Sequence, residues 1–335
     1  MKKSDYVMAI AFVIAIVLLL MIVLPVLKEE VDEKSEKKAS MEPQIISSSQ
    51  LVFNLKYHQY LEPYPYAYTY NGETRSFDFR EMIRLAQVAA GEQEKGRLTY
   101  ISNYKDGNGK APLYRGKSVD GDGTLRGAAA PAYLDLEQMD EFDYLPDGTL
   151  VRILEEGVSE FVKVYSLKEK KEYFVPKKYV ELGRTLEAVK KVIVVDLKNQ
   201  TIAALENRPN KTYYKEANKI LKTEWEIVSY SKCTTGKLGT YHQPTPEGFF
   251  YAIEKKPFFY YLKDGTNIVG GSEPWGIRFT AGAYVHGMSL GEYSSAIGTV
   301  PLSHKCVRNY TSHAKFLYDW YEEDRTIIIV MKGSE

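Results

Sequence analysis

The sequence predicts a mainly β protein with few helices, preceded by one transmembrane helix. Short runs rich in valine, isoleucine and aromatic residues recur from residue 97 onward with turn residues between them, which is typical of strands. Apolar residues recur at helical spacing in two stretches, 79–90 and 314–320. The run 6–27 is apolar throughout, and its length suits a helix that crosses about 30 Å of hydrocarbon.

Length and composition narrow the class of protein. The chain has 335 residues, which suggests two or three domains. Its 44 basic and 44 acidic residues cancel, so no basic excess points to nucleic acid, and we predict none as a partner. The 27 tyrosines fit aromatic-rich strands or an exposed face that stacks on sugars. Cys233 and Cys306 are too few for a disulfide framework, although one disulfide between them is left open.

We interpret residues 1–28 as an uncleaved membrane anchor. Lys2 and Lys3 precede the apolar run, so the N-terminus should lie in the cytoplasm and the rest outside, in the periplasm or cell wall. A cleaved signal peptide is the alternative, but the residues around Pro25 supply no small-x-small cleavage site. Residues 29–50 are charged and then serine-rich, which predicts a disordered tether.

Residues 51–96 predict one hairpin and one helix without recognisable chemistry. The hairpin would turn at Asn71 and Gly72. The helix would be capped by Asp78 together with Glu81 and would stop at Gly91.

Residues 97–183 predict a small β domain. Its candidate strands are 98–101, 111–114, 148–154, 161–165 and 171–176. Asp120 and Asp122 lack the further ligands of a calcium loop, so no metal is predicted. With its ending Tyr173-Phe174-Val175-Pro176, the segment resembles a bacterial SH3-like domain. The resemblance implies a small barrel that holds wall peptide or serves as a spacer.

Residues 190–332 predict a second β domain that carries the chemistry. Candidate strands occur at 192–197, 200–205, 225–230 and 325–331. Cys306 lies in the run Ser303-His304-Lys305-Cys306-Val307-Arg308, and a thiolate is a strong nucleophile. His286 could take the thiol proton and hold an ion pair with the thiolate. Arg308 could hold a carboxylate through two parallel hydrogen bonds.

This domain resembles the YkuD-like L,D-transpeptidase catalytic domain. Sixteen residues separate His286 from Ser303, within the spacing of that family, and Thr245-Pro246-Glu247-Gly248-Phe249-Phe250 and Cys233-Thr234-Thr235-Gly236 match further motifs in the family's order. One position departs, because Lys305 stands where the family has glycine. The resemblance implies a β-sandwich that acts on the stem peptides of peptidoglycan without a cofactor and is inhibited by carbapenem-type β-lactams.

The resemblance also implies a role for each residue of the site. Cys306 would form a thioester, His286 would be the base, and the carbonyl of Gly287 would orient that base. Backbone N–H groups of Lys305 and Cys306 would face the oxyanion, in a pocket shaped by Ser303 and His304. Arg308 would hold a substrate carboxylate. His58, His242 and His313 are interpreted as surface or packing histidines, with His242 as a candidate to border the cleft.

Several alternatives are left open at this stage. The stretch 255–261 and the turn at Asp264 and Gly265 predict either a lid over the site or a solvent hairpin. Water instead of an amine would resolve the acyl-enzyme in an L,D-carboxypeptidase or other hydrolase. A non-catalytic wall-binding protein, with Lys305 marking a decayed site, is the third possibility.

Overall fold

The computed structural model describes residues 51–157, 160–208, 214–216, 219–221, 225–239, 243–263, 265–289 and 295–333, with only the backbone of 214–216 and 219–221. They all belong to one compact unit, 47–335. The predicted anchor (1–28) and tether (29–50) lie outside the described residues, as does His242. No helix within the described part is long and apolar enough to cross a membrane.

Strands dominate the described residues, and only two α-helices interrupt them there. The helices are α1 (Phe79–Glu94) and α2 (Thr311–Trp320), with short 3-10 turns at Tyr104–Asp106, Arg126–Ala128 and Lys177–Tyr179. The strands are β1 (Val52–Phe53), β2 (Ala67–Tyr70), β3 (Glu73–Ser76), β4 (Leu98–Tyr100), β5 (Ala129–Ala132), β6 (Asp143–Pro146), β7 (Leu150–Glu155), β8 (Phe161–Ser166), β9 (Lys171–Pro176), β10 (Lys191–Asp196), β11 (Thr201–Asn207), β12 (Tyr214–Glu216), β13 (Lys219–Leu221), β14 (Trp225–Thr234), β15 (Gly248–Tyr251), β16 (Glu254–Leu262), β17 (Val269–Thr280), β18 (Ala283–His286), β19 (Val307–Asn309) and β20 (Thr326–Met331).

The C-terminal part of the chain forms one long sheet. Its strands lie in the order β15-β20-β10-β11-β14-β19-β18-β17-β16, and β1 pairs in parallel with β14. β20 returns to lie parallel to β10, so the last strand pairs with the strand that opens the segment 190–332. β19 pairs antiparallel with β14 and parallel with β18, which brings distant parts of the sequence side by side.

Both halves of this sheet share one hydrophobic core. Ile193 of β10 packs in the same cluster as Ile277 of β17 and Val285 of β18, and α2 adds Leu317. Each is essentially inaccessible to solvent, and burying such a side chain contributes roughly 1.5–3 kcal/mol. The sheet therefore folds around its own core, and the predicted mainly β, sandwich-like fold with few helices is confirmed.

Residues 51–96 pack on this sheet through aromatic side chains. The ring of Phe79 lies 5.3 Å from that of Phe53 and 5.4 Å from that of Tyr230, measured between centroids. The predicted cap is confirmed, since Asp78 accepts a hydrogen bond from the N–H of Glu81 at 3.2 Å. The predicted stop at Gly91 is wrong.

α1 continues past Gly91 to Glu94 because its last turn has a tertiary partner. Glu92 is buried and accepts from Arg152 Nε at 2.9 Å, which ties the helix end to β7. The sequence around Gly91 does not carry that information, since the partner lies 60 residues away.

Residues 97–183 have a hydrophobic core of their own. β4, β7, β8 and β9 form an antiparallel sheet, and β5 pairs with β6. Val151, Val162 and Tyr173 are among the buried members of the core. The predicted strand 111–114 is wrong: Tyr114 only pairs across a turn with Lys117, since Pro112 has no N–H to donate to a ladder. The likeness to an SH3-like domain stays a prediction.

Candidate active site

The register of two short strands brings the predicted site residues together. β18 runs parallel to β19, with Val285 opposite Val307 and His286 opposite Arg308. Side chains alternate between the two faces of a strand, so Tyr284 and His286 share a face with Arg308 and with Cys306, just before β19.

The Cys306 thiol is half-buried and lies against the turn between β17 and β18. The N–H of Tyr284 donates to Sγ at 3.4 Å, and Sγ–H points to the carbonyl of Gly282 at 3.9 Å. Burial raises the pKa of the thiol, while the Tyr284 N–H and the cations of Arg308 and Lys305 oppose that shift. The resting side chain is therefore a thiol, and these three groups offset only part of the effect of burial.

His286 is buried and held in one orientation. Its Nδ1 lies 2.5 Å from the carbonyl oxygen of Gly287, which can only accept, so Nδ1 carries the proton and Nε2 is free to accept one. Burial, followed by the repulsion of Arg308, lowers the pKa of His286 to about 4 against the opposing Gly287 bond. The imidazole is therefore neutral in the resting protein, as a base that takes the thiol proton must be.

Gly287 is fixed on both sides. Its N–H donates to Pro274 O at 2.9 Å, and a Cβ at this position would lie only 3.1 Å from Thr311 Cα. A larger residue would push β17 or α2 away, so the carbonyl that orients His286 is held by packing.

Ser303 closes the loop that carries the thiol. Its hydroxyl donates to Cys306 O at 2.5 Å and accepts from the N–H of Lys305 at 3.3 Å. Ser303 is fully buried, and its own N–H donates to Thr235 O at 3.0 Å. Ser303 therefore holds the loop to Cys306 through its side chain and to Thr235 through its backbone.

The motif residues 235–236 and 245 form the floor beneath this loop. Gly236 N–H donates to Thr245 Oγ1 at 2.8 Å, and Thr245 Oγ1 donates to Lys305 O at 2.8 Å. A Cβ on Gly236 would lie 2.7 Å from Lys305 Cα, so only glycine fits there. Gln200 supports Thr235 by accepting its N–H at 2.9 Å.

The backbone conformation at Lys305 does not require glycine, because Lys305 is not among the described residues with positive φ. Its side chain is half-buried, and burial lowers the pKa of its ammonium, opposed by Asp147, Cys306 and Asp120. The lysine therefore adds a cation near the thiol without deforming the loop.

Replacing Lys305 with glycine is expected to raise the pKa of Cys306, because the ammonium favours the thiolate. Alkylation by iodoacetamide near neutral pH should slow by roughly two- to fivefold, and added salt should shrink the difference. The full pH dependence of alkylation measures the effect. Lys305→Arg, which keeps the charge, should react like the wild type, and an unchanged or lower thiol pKa in Lys305→Gly would refute the electrostatic role.

His304 and Arg308 lie on opposite sides of the thiol along the chain. The His304 side chain is exposed, and its carbonyl accepts from Gln243 N–H at 3.0 Å. Arg308 is half-buried, its Nε has no hydrogen-bond partner, and it forms no ion pair among the residues that the structure describes. A half-buried guanidinium that has no ion-pair partner among the described residues is available to bind a carboxylate.

A long hairpin of β16 and β17 covers the histidine side of the site. The ring of Phe259 stacks on Tyr284 at 4.1 Å and meets His286 edge-on at 5.1 Å, centroid to centroid. Phe259 is buried, whereas its neighbours Phe258 and Tyr260 are 57% and 74% exposed. The hairpin contacts the site, as a lid requires, and its opening stays a prediction.

The remaining cysteine and histidine have structural surroundings. Both cysteines are free and Cys233 is buried in the core, so the disulfide that the sequence left open is absent. His313 is buried between Asn309 Oδ1 at 3.1 Å and Ser229 Oγ at 3.0 Å, as predicted for a packing histidine.

Sequence reasoning missed several groups around the thiol. The alternation of side chains along a strand could have identified Tyr284, because it lies two residues before His286 and therefore on the same face. Phe259 was predicted only as part of the possible lid 255–261, and Gly282 and Glu273, which raises the thiol pKa, have no local signal. They reach the site through the β16–β17–β18 meander.

The sequence of this part of the chain matches a known family. Residues 190–330 match the model of the YkuD family, the L,D-transpeptidase catalytic domain. The match supports an L,D-transpeptidase catalytic domain in this part of the chain, and with it an acyltransferase role in peptidoglycan. No curated protein matches the chain.

Solved structures of L,D-transpeptidases show a distant likeness. LdtMt1 in complex with imipenem is 16% identical, with 54% of this chain and 82% of that chain covered and a TM-score of 0.34. The L,D-transpeptidase from Mycobacterium smegmatis is 18% identical, with 54% of this chain and 82% of that chain covered and a TM-score of 0.33. L,D-transpeptidase 3 from Mycobacterium tuberculosis, in complex with a faropenem-derived adduct, is 16% identical, with 52% of this chain and 92% of that chain covered and a TM-score of 0.32. These likenesses are too distant to bear on function.

Proposed function

We propose that this protein is a peptidoglycan L,D-transpeptidase whose nucleophile is the Cys306 thiol. The observation that carries the proposal is the pairing of β18 with β19, which places a neutral His286, a half-buried thiol and Arg308 on one face. The family match at 190–330 supports the same reaction class.

In the first half-reaction, His286 Nε2 takes the thiol proton while Sγ attacks an amide carbonyl carbon of a stem peptide. Negative charge then develops on the carbonyl oxygen, which the backbone N–H groups of Lys305 and Cys306 face. The 3.3 Å bond from Lys305 N–H to Ser303 Oγ is long, so little is lost when this donor turns to the oxyanion. The C–N bond breaks, D-alanine leaves with the proton from His286, and a thioester remains on Cys306.

In the second half-reaction, an amine of a neighbouring stem attacks the thioester carbonyl. His286 takes a proton from the attacking amine, the C–S bond breaks, and the thiolate recovers that proton. The product is an amide cross-link between the two stems. Arg308 binds a substrate carboxylate during both steps, since its guanidinium is unpaired among the described residues.

Mass spectrometry of muropeptides incubated with the protein tests this function. Cross-linked dimers are expected. Shortened monomers would instead indicate a carboxypeptidase or other hydrolase that uses the same thiol, and unchanged muropeptides would indicate a non-catalytic wall-binding protein.

We also propose that the catalytic part lies outside the cytoplasm, held by the anchor at 1–28. A reporter that is active only outside the cytoplasm, fused after Glu335, is expected to be active, because the N-terminal lysines favour the cytoplasmic side. The same fusion with a cytoplasm-only reporter serves as the control. Activity of that second fusion would reverse the proposed topology.

A further inference from the structure

The turn between β17 and β18 sets the position of the Cys306 thiol. Two backbone groups of this turn and its exit, Gly282 C=O and Tyr284 N–H, contact Sγ directly. Ala281 at its centre has φ +40°, in the left-handed region that costs an L-residue stability. Something outside the turn must hold this conformation.

That support comes from Asp147, a residue of the segment 97–183. Its Oδ2 accepts from Ala281 N–H at 2.8 Å and from Arg278 Nη1 at 2.9 Å. Arg278 Nη1 also donates to Ala281 O at 3.2 Å, so both sides of the strained residue are tied to this ion pair. Asp147 is 1% exposed, which keeps water from competing for these bonds.

Asp147 is also held in place by hydrogen bonds within its own segment. Its Oδ1 accepts from Asn103 N–H at 2.8 Å, and its own N–H donates to Ala128 O at 2.8 Å. The next residue, Gly148, packs so tightly that a Cβ there would lie 1.8 Å from Phe279 O. The β6–β7 turn therefore packs tightly against the C-terminal end of β17.

A second side chain from the same segment covers the turn. The Tyr104 ring lies 4.9 Å from the guanidinium of Arg278, and its hydroxyl would be 3.5 Å from a Cβ on Gly282. The 97–183 segment thus contacts the turn at two points, Asp147 and Tyr104. Neither lies within the family match at 190–330.

We infer that Asp147 is a positioning residue that holds the 280–283 turn against the Cys306 thiol, so that the 97–183 segment completes the active site. The inference rests on the proposed role of Cys306 as nucleophile. Asp147 does not contact the thiol; it acts through Ala281 and the backbone groups that follow it.

The test compares the pH dependence of Cys306 alkylation by iodoacetamide in the full chain and two variants. Asp147→Glu keeps the charge but moves the carboxylate by one methylene, and Asp147→Asn keeps the shape but offers one acceptor oxygen instead of two. Both should misplace the Tyr284 N–H, raise the thiol pKa and slow alkylation near neutral pH by roughly three- to tenfold. Arg308, Lys305 and Glu273, the charged groups that act on the thiol, are unchanged.

A rescue experiment separates position from charge. Glycine adopts positive φ without strain, so Ala281→Gly in the Asp147→Asn background should restore part of the alkylation rate. A purely electrostatic role predicts no rescue and a wild-type rate in Asp147→Glu. Asp143→Ala, which removes the hydrogen-bond acceptor of the Tyr173 hydroxyl within the same segment, controls for lost stability and should leave alkylation unchanged.

Thermal unfolding confirms which variants are folded. If Asp147→Asn does not fold, Asp147→Glu decides, and a wild-type thiol pKa in that folded variant overturns the inference. Absence of muropeptide dimers with the wild type would count against the proposed function only. The alkylation comparison stays valid in that case, since it needs only the thiol.

Discussion

Replacing Cys306 with alanine is expected to abolish covalent acylation and to lower cross-linking by at least about 10⁴-fold, because no other group can form the thioester. A carbapenem is the convenient probe, since its strained amide carbonyl can acylate a thiol as the stem peptide does. Intact mass of the wild type should rise by one drug adduct. The Cys306→Ala protein should keep its own mass.

Cys233→Ala is the matched control for this experiment. Cys233 is fully buried in the core, and burial raises the pKa of its thiol well above the ordinary value, so it should not react. That variant should carry one adduct like the wild type. An adduct that persists in Cys306→Ala, or that maps to Cys233, would remove Cys306 as the nucleophile.

Replacing His286 with glutamine should lower the acylation rate by about 10²–10⁴-fold, the usual contribution of a positioned general base. Glutamine is close in volume and polar, so the packing with Phe259 should largely persist. His313→Gln changes a buried histidine away from the thiol and should cost stability but not the chemical step. Rates from stopped-flow acylation and melting temperatures separate the two effects, and near-wild-type acylation in His286→Gln would exclude it as the base.

The pH profile of the wild type gives an independent check on His286. Its pKa is lowered to about 4, so the base should stay neutral down to that pH, and the acid limb of kcat/KM should lie near 4 instead of near 6.5. The same shift affects stability. Between pH 6.5 and 4 the unfolded chain binds a proton that the folded chain refuses, so stability should fall as the pH drops through this window.

Local patterns in the sequence were sufficient to predict most of the strands and helices. The apolar run that became β10 and the alternation in β14 depend on neighbours in sequence, and so does the Asp78 cap of α1. The Gly91 stop failed because a contact with Arg152, which is distant in sequence, extended the helix. The 111–114 strand failed for a local reason, since Pro112 has no N–H to donate to a ladder.

The sequence by itself predicted which residues carry the proposed chemistry, because the ordered motifs around the thiol, the imidazole and the guanidinium resemble one known domain. Only the tertiary structure decided their protonation and support. Burial of His286 favours the neutral imidazole, since a charge loses its solvation there, and no local pattern encodes burial. The Asp147–Arg278 bond joins residues 131 positions apart, so only the packing of the two segments reveals what holds the turn beside the thiol.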